Sequence, residues 1–154
     1  MRKVMVAAMV LAVMLPGAAL AGARQDGTVL MPENPQMGKV FEEWGFAEAV
    51  VSGDTVYLSG VVAGLRPGET DLEAAFTRAF DYIGKTLARA GVGWGDVVDI
   101  TTYHTDLKAQ LDPIVAVKHR YVKAPFPAWT AIQVVRLVPD GGLVEIKVTA
   151  RKAK

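Results

Sequence analysis

Hydrophobic positions recur with two periods along this chain. Leu72, Ala75, Phe76, Ala79, Phe80, Ile83, Leu87 and Ala90 repeat at three- and four-residue spacing, while Arg78, Asp81, Lys85 and Arg89 fall largely on the other side. That stripe predicts an amphipathic helix with one buried face. Thr70 or Asp71 can cap it, Glu73 suits the dipole in its first turn, and Gly91 supplies a C-terminal stop. A second helix is expected to open at Asp112-Pro113, as a cap followed by proline at the first helical position, and to run to about Val122. Runs rich in β-branched and aromatic residues predict strands over 46–51, 55–62, 97–104, 129–138 and 143–151. Ser52-Gly53-Asp54 makes the first two a hairpin, and Pro139-Asp140-Gly141-Gly142 turns between the last two.

The resulting order, β-β-α-β-α-β-β, predicts an α+β fold: a mixed sheet with two helices on one face. The strand at 97–104 follows a helix, so it should pair in parallel through a right-handed crossover. Apolar residues occur at both strand parities, as in Val61-Val62 and in Val134, Val135, Leu137 and Val138. The second face therefore needs a cover that one domain of this size lacks, and a ring of identical subunits would provide it.

The N-terminus has a different pattern. Arg2 and Lys3 precede an apolar run from Val4 to Leu15, Pro16-Gly17 breaks it, and Ala19-Leu20-Ala21 offers small residues for cleavage. This is the form of a secretory signal peptide over 1–21, too short to span a bilayer comfortably. Export to the periplasm or exterior is expected, with no stable membrane insertion after cleavage. Residues 22–44, punctuated by Pro32-Glu33-Asn34-Pro35, are expected to form a loosely packed arm, and 45–154 the domain.

Charge and composition narrow the chemistry. Removing Arg2 and Lys3 takes the formal charge from +1 to −1. No basic excess remains to track a phosphate backbone, so nucleic-acid binding is not expected. The chain has no cysteine, which excludes a thiol nucleophile and a cysteine metal site. His104 and His119 have no carboxylate at ligand spacing, and Lys118, His119 and Arg120 look like a solvated helix face. No metal and no cofactor is expected.

Glu145 is the sharpest candidate for chemistry. A carboxylate inside an apolar strand is costly to bury unless it is paired or lies in a pocket, where desolvation would suit it to acid–base work. The alternative is an outward-facing Glu paired with Lys147 or Arg136. Trp129 either walls a pocket or belongs to the core or a subunit contact. Ser59 and Thr130 offer hydroxyls.

From about Trp44 to Arg151 the chain resembles the RidA (YjgF) family. The matching segments are Ser52-Gly53-Asp54-Thr55-Val56-Tyr57-Leu58-Ser59-Gly60, Ala90-Gly91 with Gly95-Asp96-Val97-Val98, Thr105-Asp106-Leu107, Phe126-Pro127-Ala128 and Val144-Glu145-Ile146. The resemblance implies a chorismate-mutase-like fold and a homotrimer with three clefts between subunits. It also implies cofactor-free hydrolysis of small enamines or imines, such as 2-iminopropanoate, with Glu145 handling water near Ser59 and Gly60. The family's carboxylate-binding arginine aligns with Trp129, its first-strand tyrosine with Phe46, and an asparagine of its second helix with Val115. Losing a charged partner for a substrate carboxylate costs about 3–5 kcal/mol when the group is desolvated. Two functions are carried forward: a hydrolase of non-standard substrate range, with Phe46, Val115, Trp129 and Thr130 shaping the cleft, or a non-catalytic trimer binding a small molecule in an apolar cleft. A third, weaker one is a cleft filled by Trp129 that only strengthens the trimer.

Overall fold

Strand Gly142–Arg151 organises the sheet of the computed structural model, which describes Gly22, Arg24 and residues 27–153. The expected signal segment lies outside the described residues. In chain order the elements are β1 (Thr28–Leu30), α1 (Pro35–Trp44), β2 (Ala49–Ser52), β3 (Thr55–Leu58), β4 (Val61–Gly64), α2 (Leu72–Arg89), a 3-10 turn at Trp94–Asp96, β5 (Val97–His104), α3 (Leu107–Tyr121), β6 (Ala128–Gln133) and β7 (Gly142–Arg151). The strands run β1-β2-β3-β7-β5-β6, with β4 also paired to β7. This is the predicted mixed sheet with α2 and α3 packed together on one face.

The alternation along β7 divides the two faces. Val144, Ile146, Val148 and Ala150 are buried under the helices with Phe76, Phe80, Ile83, Leu87, Ile100 and Ile114. Glu145, Lys147 and Thr149 point the other way, as period-two geometry requires. That second face also carries Val50, Tyr57, Tyr103 and Ile132, and no helix among the described residues packs over Glu145 there. Helix α2 begins at Asp71, whose side chain accepts from the Ala74 amide, and Gly91 follows it at φ 79°.

Four expectations change. The strand expected over 55–62 breaks into β3 and β4. Tyr57 pairs with Thr149 but Val61 pairs with Ile146, so the register slips by one residue and Ser59-Gly60 forms a bulge. Hydrogen bonds fix the break: the Ser59 hydroxyl donates to the Ala47 carbonyl at 2.6 Å, and Lys147 Nζ donates to the Leu58 carbonyl at 3.1 Å. Second, the crossover through α2 does not land beside its starting strand, because β7 inserts between β4 and β5. The parallel partner of β5 is β6. It follows that β6 and β7 are not neighbours, and residues 134–138 leave the sheet, with Val135 fully exposed and Leu137 buried. Third, α3 starts at Leu107 with Asp106 as cap, accepting from Ala109 N at 3.1 Å, and Pro113 sits inside the helix. Asp112-Pro113 imitated a helix start because proline suits a first turn, but the Asp106 cap acts one and a half turns earlier.

The fourth change concerns residues 22–44, which hold β1, antiparallel to β2, and the helix α1. Asn34 caps α1 by accepting from Gln36 N and Met37 N, Pro35 opens it, and Gly45 closes it at φ 73°. The punctuation at 32–35 is thus a helix-start signal.

Candidate functional site

The bulge sets the position of Glu145. A Cβ built on Gly60 would fall 1.8 Å from Glu145 Oε1 and 2.6 Å from its Cδ, so the carboxylate lies directly on the glycine backbone. Only glycine permits that approach. Neither cation proposed as its partner reaches it: Lys147 is bonded to the Leu58 carbonyl and Arg136 to Asp140 at 2.7 Å. Among the described residues no side chain forms a hydrogen bond or ion pair with this carboxylate. Glu145 is therefore a half-buried acceptor, held in place by strand geometry and packing, on the face of the sheet away from α2 and α3.

Trp129 lies elsewhere. It pairs with Ile100 across β5 and β6, whereas Glu145 pairs with Tyr103 across β5 and β7. These positions differ by three residues on β5, an odd number, so the two side chains leave opposite faces of the sheet. Their backbones are about 10 Å apart along the strands and about 10 Å apart across them. One chain cannot bring Trp129 and Glu145 into one cleft, and Trp129 does not plug the surroundings of its own Glu145. Thr130, next to Trp129, points to the Glu145 face and is exposed.

On the helix side, Trp129 is fixed from two directions. Its Nε1–H donates to Thr102 Oγ1 at 3.1 Å, and Lys118 Nζ sits 3.5 Å from the ring centroid. Lys118 was expected on a solvated helix face; it instead points toward the sheet, one turn beyond Val115. The half-buried Val115 shares that side of α3, while Arg120 turns outward to pair with Glu73. Thr102 also meets His104 Nε2 at 2.9 Å and the Thr130 carbonyl at 3.3 Å. His104 is fully buried, burial pulls its pKa down against an opposing contact with Gln110, and Nδ1 has no partner within hydrogen-bond geometry among the described residues. A neutral ring carrying its proton on Nε2 satisfies this cluster best: Thr102 then accepts from Trp129 and His104 and donates to Thr130, and only an acceptor is left unmet. Thr102→Val would strand a buried donor on His104 and a half-buried one on Trp129, so urea unfolding is expected to show a loss of about 1–3 kcal/mol.

The third predicted group, Phe46, packs against Phe41 of α1 with centroids 4.0 Å apart and lines an open hollow with Val29 and Val50 beside β1 and β2. A second cavity, of about 330 Å³, lies between α1, α2 and β4. Ser59 and Gly60 form part of its wall, with Met37, Phe41 and Tyr82, and Glu48 lines it as well. Sequence reading missed Glu48, a carboxylate only 5% exposed. Arg89 Nη1 donates to it at 2.5 Å and Thr86 Oγ1 at 2.7 Å. Burial alone would raise its pKa, but bonds from Tyr82, Thr86 and Arg89 and the Arg89 charge together hold it below the usual glutamate value. The signal was a Glu within an apolar strand approach, the same signal that singled out Glu145. Among the described residues no cluster of His, Asp or Glu could hold a metal ion, and no helix is long and apolar enough to cross a membrane.

Comparison with known proteins adds a relationship to this geometry. The model of the endoribonuclease L-PSP family matches residues 40–152. The RutC family protein YjgH of Escherichia coli (strain K12) is 38% identical over 115 residues, 73% of this chain and 86% of that protein. A solved structure of protein YjgH superposes with a TM-score of 0.68 at 33% identity, covering 83% of this chain and 98% of the other. RidA from an Antarctic Psychrobacter superposes with a TM-score of 0.61 at 32% identity, covering 69% and 87%.

Proposed function

The chain belongs to the endoribonuclease L-PSP family, which includes the RidA and YjgF proteins, and on that premise we propose that it is an exported, cofactor-free hydrolase of small imines or enamines that works as a homotrimer. The observation that carries this reading is Glu145: a half-buried carboxylate seated on Gly60, with no hydrogen-bond or ion-pair partner among the described residues.

In the proposed reaction, Glu145 accepts a proton from water as the water oxygen adds to the C=N carbon. Glu145 hands that proton to nitrogen to give a carbinolamine, then takes the proton of the new hydroxyl and passes it to the amino nitrogen as the C–N bond breaks, so that a carbonyl compound and ammonia leave. Because Trp129 and Glu145 occupy opposite faces, a complete site takes Glu145, Ser59 and Gly60 from one copy and Trp129 from the next. Trp129 occupies the place of the family's arginine, so small 2-imino acids lose their two-pronged anchor and an apolar wall takes over. Phe46 and Val115 act in the same direction. The ribonuclease activity in the family's description fits less well, since the exported chain has no basic excess.

The test is ammonia release from imines generated in situ, with the mature protein and Trp129→Arg side by side. The wild type is expected to favour imines with larger apolar groups, and the Arg variant to gain on 2-iminopropanoate. If a folded wild type turns over no imine, the hydrolase reading fails and the non-catalytic binding trimer replaces it. Sedimentation equilibrium should give three times the chain mass.

A further inference from the structure

We propose that Lys118 is an anion anchor, its ammonium holding the carboxylate of a small ligand whose flat apolar body lies against Trp129. The ligand's class deepens the hydrolase reading and rests on it for the reactive end; the binding itself does not.

Five arginines among the described residues have carboxylate partners: Arg78 with Glu69, Arg89 with Glu48, Arg120 with Glu73, Arg136 with Asp140 and Arg151 with Asp54. Lys118 is partly buried and has none among the described residues; its one recorded partner is the Trp129 ring. An ammonium has three donors, and an aromatic face leaves most of that capacity unused. Burial also draws the Lys118 pKa down, the behaviour of a cation short of counter-charge. An arriving anion would relieve that deficit.

The surroundings define the ligand. Trp129 is held by Thr102, so the wall beneath the cation is fixed before anything binds. Strand β6 is an edge of the sheet, which leaves the margin of the site open. Phe126, 64% exposed, stacks on His119 next along α3 and gives that margin a second aromatic surface. Lys118 stands in the last turn of α3, where the helix dipole disfavours multiple negative charge. A single ammonium there suits a monoanion, a carboxylate rather than a phosphate, joined to an aromatic or branched apolar group.

Benzoate and its neutral isostere benzamide are the probes, titrated calorimetrically into the full mature protein. Benzoate is expected to bind at least ten times tighter than benzamide. Lys118→Met, which keeps the stem, should weaken benzoate about ten- to a hundred-fold and leave benzamide unchanged. Lys118→Arg should retain most of the affinity and confirm that charge is the cause. Equal binding of both probes, no benzoate binding to the wild type, or unaltered affinity in a folded Lys118→Met protein would overturn the proposal. Benzoate bound through Lys118 by a protein that hydrolyses no imine would end the hydrolase reading and keep the anchor.

Discussion

Gly60→Ala is expected to remove hydrolysis while leaving the fold almost as stable as before. The added methyl would meet Glu145 at Oε1, Cδ and Cγ, at 1.8, 2.6 and 2.8 Å. All three atoms belong to a flexible side chain that no hydrogen bond restrains, so the carboxylate swings away and the strands keep their register. Loss of a positioned base lowers kcat by about 10²–10⁴. Thermal unfolding should shift by only a few degrees, a cost of about 1 kcal/mol or less. Glu145→Gln should show the same kinetic loss with Gly60 intact. A Gly60→Ala enzyme that hydrolyses normally would mean the seat of the carboxylate on the bulge has no part in catalysis.

The largest effect on stability is expected at Arg89. Its guanidinium binds Glu48 and also donates to the Met31 carbonyl at 2.6 Å, so it ties α2 to β2 and to the segment after β1. Arg89→Met would leave Glu48 charged, buried and without its cation, at a cost of about 3–5 kcal/mol. Replacing both partners, as Glu48→Gln with Arg89→Met, should recover part of that loss, because no ion is then stranded. The pair also predicts acid sensitivity. Glu48 has a folded pKa below its unfolded one, so its contribution is complete above the ordinary glutamate range and is lost as pH falls through the folded value. Urea unfolding of Glu48→Gln should accordingly depend less on pH across the acid range than the wild type. Parallel curves would show that Glu48 is not the linked group.

The helices, the strand types and the need for a second cover were legible because each depends on local periodicity. Strand neighbours were not. Nothing in residues 97–104 says that β7, the last strand, will insert beside them; that follows from three-dimensional packing. Ser59-Gly60 read as the middle of a strand because the residues on both sides are apolar, and only the slip against β7 reveals a bulge. Glu145 stands out in the sequence as a carboxylate inside an apolar strand, but only the register across β5 shows that Trp129 of the same chain leaves the opposite face, so a cleft shared by the two draws on two copies. Lys118 was hidden for a different reason: a lysine in a run of three cations looks solvated, and one turn of α3 decides that it faces the sheet while Arg120 does not.

On the proposed function the sheet is a partition, with water chemistry assigned to one side and recognition to the other. Two impaired chains, one carrying Glu145→Gln and the other Lys118→Met, should then rescue one another in part when unfolded together and reassembled. In the proposed trimer, an intact Glu145 facing an intact Lys118 of the adjacent copy would rebuild a wild-type site. Complementation of this kind cannot occur in an enzyme whose catalytic and binding groups share one chain's cleft.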